Sequence, residues 1–102
     1  MKTIELTGAA LDWAVAQCEG FDNGDWLPDY STDWAAGGTI IEREGISILS
    51  TESGEWCAAI GELYYEDNEP RSPTPLVAAM LCYVASKMGD EVDVPKELLT
   101  HV

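Results

Sequence analysis

The stretch from Thr74 to Gly89, TPLVAAMLCYVASKMG, constrains this chain more than any other. Thr74 carries a side-chain oxygen suited to capping a helix N-terminus. Pro75 suits the first helical position because the N–H it lacks would go unpaired there, and Gly89 ends the run. Between them Leu76, Met80, Tyr83 and Val84 recur at helical spacing, with Val77 and Leu81 widening the apolar face. A face this wide has to be covered, so the rest of the chain must supply packing layers for it.

Thr7 is a second N-cap candidate, for a helix running to about Glu19 with Gly20 at its end. Leu11, Val15 and Cys18 form its stripe, Ala10 and Ala14 flank it, and Trp13 lies off it. Residues 2–6 read as a short strand or extended lead-in. EGFDNGDWLPDYSTDWAAGG reads as loop, punctuated by Asn23-Gly24, Pro28 and Gly37-Gly38. TIIEREGISIL predicts short strands at 39–43 and 45–49 around Glu44-Gly45, and EWCAAI a strand at 56–60. EDNEPRSP is a polar connector. Residues 90–94 read as an extended tail, and KELLTHV as one helical turn or a frayed end. The fold class expected is α+β, with two helices packed on a small, mainly antiparallel sheet. One domain over residues 1–102 is expected, because at this length roughly 65% of the unfolded surface can be buried around one core.

Charge narrows the partners. Five Lys and Arg face nineteen Asp and Glu, a formal net charge of -14. Phosphate backbones and anionic membranes both need cations, so direct nucleic-acid and membrane binding are not expected. A basic protein partner, mimicry of DNA, or a merely self-repelling soluble surface fits the imbalance. With 46% hydrophobic residues and four tryptophans the chain is read as folded rather than disordered. Cys18, Cys57 and Cys82 are odd in number and widely spaced, and His101 is the only histidine. Free thiols in a reducing cytoplasm are therefore expected, with no zinc site and no cofactor. Neither a signal peptide nor a transmembrane run is recognisable, and there is no phosphate-binding or dinucleotide glycine motif.

No complete nucleophile–base or metal-ligand set stands out, so no catalytic residue is assigned. Carboxylate pairs such as Glu42-Glu44 and Asp90-Asp93 are expected by chance among nineteen acids. A ligand site is more plausible where Asp12 and Trp13 approach Asp33, Trp34 and a Gly37-Gly38 turn. Arg43 and Arg71 are the only two arginines. Either one clamps a carboxylate or phosphate as a fork, or Arg43 pairs internally with an acid such as Asp12 or Asp33. The helix start at Thr74 offers backbone N–H groups to an anion, unless Thr74 simply caps it. Tyr30 and Trp34 either stack on a ring or belong to the core.

Three segments together carry a family resemblance: LTGAALDWAVAQCEG, YSTDWAAGGTIIEREGI and SPTPLVAAMLCYVASKMGDEVDVP. Through residues such as Gly8, Asp12, Trp13, Tyr30, Ser31, Asp33, Trp34, Gly37, Gly38, Arg43, Thr74, Pro75 and Tyr83, the chain resembles the NinX-like family of lambdoid phages and prophages. The acidic insert DNGDWLPD looks more variable in that family. The resemblance implies a small phage accessory protein encoded among non-structural genes, and brings no catalytic signature with it. The function expected is non-enzymatic capture of a small nucleotide-like host molecule. The alternatives are an acidic interaction module or DNA mimic that inhibits a basic host protein, and a small hydrolase with a carboxylate-based site. A homodimer sharing a pocket across its interface is also compatible with the aromatic content.

Overall fold

The computed structural model describes residues 2–20, 28–60, 71–89 and 91–94. In chain order a 3-10 turn (Thr3–Glu5) is followed by α1 (Gly8–Cys18), α2 (Trp34–Glu44), β1 (Ile46–Ser50), β2 (Trp56–Ile60), β3 (Arg71–Ser72) and α3 (Pro75–Met88). The three strands form one antiparallel sheet in the order β1-β2-β3. Ile46 pairs with Ile60 and Ser50 with Trp56 in the β1–β2 hairpin. Its turn is closed by Thr51 and Glu55, whose backbone N–H and carbonyl lie 2.8 Å apart.

α3 is the centre of the molecule. It packs against β1, β2 and β3 on one side and against α1, α2 and the 3-10 turn elsewhere. Leu76 and the seven consecutive residues from Ala78 to Val84, including Cys82 and Tyr83, are buried. A helix wrapped on so many sides needs apolar residues around most of its circumference, which explains the unusual width of its apolar face. Thr74 caps it through a hydrogen bond from the Val77 N–H, with Pro75 in the first turn. Its far end is tied to the chain start: the Thr3 hydroxyl donates to the Gly89 carbonyl at 2.6 Å, and Lys2 bridges Glu91. α1 contributes Ala10, Leu11, Ala14, Val15 and Ala16 to the same core.

The expected two-helix architecture is corrected to three α-helices. Residues 39–43, expected as a strand, are the second half of α2, and Gly37-Gly38 lie inside that helix rather than in a turn. Thr39, Ile40 and Ile41 favour extended structure locally, but both ends of the segment are capped for a helix. The Asp33 carboxylate accepts the Ala35 N–H at 2.9 Å, and Gly45 takes up the left-handed conformation with its N–H on the Ile41 carbonyl. Gly37, Ile40, Ile41 and Glu44, spaced three and four apart, then turn inward together. Residues 2–6, expected as a short strand or extended lead-in, contain the 3-10 turn between extended Lys2 and Leu6. Of the expected connector EDNEPRSP (66–73), Arg71 and Ser72 form β3 rather than connector, while 66–70 lie outside the described residues, as does KELLTHV (96–102).

Candidate functional site

The starts of α2 and α3 flank a cleft of about 230 Å³. Ser31, Thr32 and Trp34 line it on one side, and residues 74–77 on the other. Trp34, the first residue of α2, keeps 53% of its surface exposed. It is not a core residue. Its position follows from the Asp33 cap, which sets where the helix begins and so where the indole projects.

Two contacts hold the walls together. The first is at Gly37, where a Cβ atom would stand 2.5 Å from the Tyr30 carbonyl oxygen and 2.7 Å from Leu76 Cδ1. Glycine therefore lets α2 approach both the loop before it and the first turn of α3. The second is at Asp12, buried in α1 with 6% exposure, whose carboxylate accepts the Ser31 N–H at 2.8 Å. Burial raises the Asp12 pKa, while Ser31 opposes that rise and the charge of Asp29 adds to it. Ser31 is only 3% exposed, and its hydroxyl is buried without a partner in good hydrogen-bond geometry, although it lies near enough to Asp12 to favour the ionised carboxyl.

The arginine expectation resolves differently. Arg43 forks onto Glu19 with Nη1–Oε1 at 2.9 Å and Nη2–Oε2 at 2.6 Å, and its Nε donates to Glu44 at 2.9 Å. Nη2 also donates to the Tyr83 hydroxyl at 3.1 Å, and that hydroxyl donates in turn to Glu19. Arg43 thus joins the ends of α1 and α2 to α3, with Lys87 3.9 Å from Glu44 on the same face. Its hydrogen bonds with Arg43 hold the Glu19 carboxyl below its ordinary range. Burial and then the bond to Glu19 push the Tyr83 phenol up. Cys18 beside this cluster is pushed up to about 11 by burial and by the charge of Glu19. The guanidinium is committed to its own fold and does not line the cleft. The expected internal partners, Asp12 and Asp33, are engaged with Ser31 and Ala35 instead.

Of the sequence-derived residues, Trp34 and Thr74 line the cleft. Asp33, Gly37 and Asp12 support its walls. Tyr30 is buried, so its carbonyl rather than its ring takes part, and Trp13 packs half-buried against the core. Gly38 lies beside Trp34, with a Cβ there 3.9 Å from the indole. Arg71 belongs to β3, and its side chain lies outside what is described. Sequence reasoning missed Thr32 and the first turn of α3 as lining, and Glu19 and Tyr83 as the partners of Arg43.

The three cysteines are free thiols. Among the described residues no three His, Cys, Asp or Glu side chains gather as a metal site, and no helix is long and apolar enough to cross a membrane. Comparison with curated proteins gives no match. Residues 24–87, more than half of the chain and spanning both the Asp33–Gly37 wall and all but the last residue of α3, match the family described as Bacteriophage P22, NinX, and the chain belongs to that family of phage and prophage accessory proteins.

Proposed function

We propose that this accessory protein works by binding rather than catalysis, holding a small nucleotide-like host molecule in the cleft between the starts of α2 and α3. The observation that carries this reading is the half-exposed Trp34 indole at the mouth of a preformed cleft. An exposed aromatic face beside hydroxyls and a helix start suits a planar ring that also accepts hydrogen bonds. The rigid support from Gly37 and Asp12 reduces the ordering cost of binding. The nearest nucleophile–base pair, Ser31 and Asp12, does not favour catalysis, because the Ser31 hydroxyl is buried and the Asp12 carboxylate is occupied by a backbone N–H.

Isothermal titration of the purified protein against a nucleoside and nucleotide panel tests the reading. Saturable binding that Trp34→Ala abolishes without unfolding the chain is the expected result. A panel with no binder, or binding indifferent to Trp34, removes it.

A further inference from the structure

We infer that β1 is the seam of a homodimer, in which two copies pair their edge strands antiparallel about a two-fold axis at Leu49. β1 stands at one edge of the sheet, with only β2 beside it. In the hairpin turn the Thr51 N–H bonds the Glu55 carbonyl. Antiparallel ladders alternate, so Leu49 and Ser47 turn their backbone groups to β2, and Ile46, Ile48 and Ser50 turn theirs outward. Among the described residues no other backbone segment bonds those outward groups. Such an edge is a template for another strand, and natural chains guard it with charge, proline or a bulge. β1 has none of these guards. Residues 45–51, GISILST, hold no charge and no proline, although 24% of the chain is charged, and pairing with β2 runs through all five positions without a bulge. Leu49 stands 61% exposed on this strand, more than Trp34. The other edge, β3, is only two residues long.

Charge identifies the occupant. A basic partner finds no carboxylate along this strand, whereas a second copy brings an equally neutral strand with the same outward backbone groups. Charge also selects the register. Centred on Leu49, the pairing sets that side chain against the partner's Leu49 at a non-hydrogen-bonded position, where cross-strand side chains come closest. Ile48 and Ser50 then exchange backbone bonds with the partner's Ser50 and the partner's Ile48. Centring on Ile48 would instead set Glu44 opposite the partner's Glu52, and like charges directly opposite destabilise a ladder. Away from the seam each copy carries a net charge of -14, so the copies repel at long range and salt strengthens the dimer. A complex of this acidic chain with a basic protein would respond to salt in the opposite direction.

Sedimentation velocity of the full chain over about a hundredfold range of concentration, at low and high salt, tests the inference. The parent passes from monomer to dimer as concentration rises, and the midpoint falls to lower concentration in high salt. Leu49→Lys and Leu49→Glu each weaken self-association by about tenfold or more, because two like charges then meet across the axis. Lysine reduces the repulsion between whole copies and glutamate increases it, so loss in both variants marks the seam rather than the overall charge. Both variants should melt as the parent does at low concentration, since the side chain is exposed in the single chain. An equimolar mixture of the two regains the dimer, lysine facing glutamate at the axis. A parent that stays monomeric throughout overturns the inference and leaves the edge to a strand of another protein. A dimer that both variants keep, that salt dissociates, or that the mixture fails to regain overturns it as well.

Discussion

Glu19, just past the end of α1, holds Arg43 of α2 through two parallel hydrogen bonds of 2.9 and 2.6 Å, across 24 positions of sequence. The arginine side chain is half exposed and the glutamate only 16% exposed, so the pair sits between a solvent-screened bridge and a buried one. Arg43→Ala is expected to cost about 1–2 kcal/mol of stability in urea unfolding, because fork geometry and the shared Tyr83 hydroxyl add to a surface pair's small worth. Because the folded pKa of Glu19 is depressed, its contribution is fully present above the ordinary value of 4.5 and is lost as pH falls through the folded value. The stability margin of the parent over Glu19→Gln therefore shrinks on acidification below that point. A margin that stayed constant would show the pair to be energetically idle.

Asp12 behaves with the opposite sign. Burial raises its pKa, so whatever it contributes is greatest below its ordinary value of 3.8 and is lost as pH rises through the folded value. Asp12→Asn keeps an oxygen for the Ser31 N–H and removes the charge, so its stability relative to the parent improves from acidic to neutral pH. Asp12→Ala removes the acceptor, leaves that buried N–H unpaired and costs about 1–3 kcal/mol. Equal effects of the two substitutions at neutral pH would contradict the assigned role.

The helix caps on the two sides of the cleft are a third pair to test. Asp33→Ala and Thr74→Ala each lose one bond to a first-turn N–H and are expected to cost about 1 kcal/mol. They should differ in how hydrogen exchange responds. Losing Asp33 frays the start of α2 around Trp34. Losing Thr74 leaves most of α3 protected, since its following turns are buried on several sides. Uniform loss of protection through α3 in Thr74→Ala would show the helix to be less locked than its burial implies.

Legibility followed the range of the interactions. α3 was readable because its cap, its Pro75 and its terminal Gly89 are all local signals, and its apolar run is dense enough to require burial. β2 was placed at its exact bounds by composition alone. α2 was misread because the β-branched run Thr39-Ile40-Ile41 outweighed two caps twelve residues apart, Asp33 and Gly45, whose meaning depends on being read together. The site divides in the same way. Trp34 and Thr74 were identifiable by residue type, but nothing local marked Glu19 as the partner of Arg43. That pairing exists only once α1 and α2 both lie against α3.

Gly37 and Gly38 give the sharpest test, because two adjacent glycines in one helix should respond oppositely to the same substitution. Intrinsic propensity favours alanine at both, by roughly 1 kcal/mol in a helix interior. At Gly38 a methyl would meet only Trp34, at an ordinary contact distance of 3.9 Å, so Gly38→Ala should be neutral or stabilising. At Gly37 the same methyl would press within 2.5 Å of the Tyr30 carbonyl oxygen and 2.7 Å of Leu76. The Leu76 side chain has some freedom to yield, but the backbone carbonyl yields only if the loop or the helix shifts. Gly37→Ala is therefore expected to lose about 1–3 kcal/mol net, overpacking outweighing the propensity gain. It should also weaken any ligand held between Trp34 and Leu76, because the strain is relieved by moving one cleft wall away from the other. Paired thermal melts of the two variants check the sign. Two stabilised variants would mean that α2 does not approach α3 as closely as Gly37 permits.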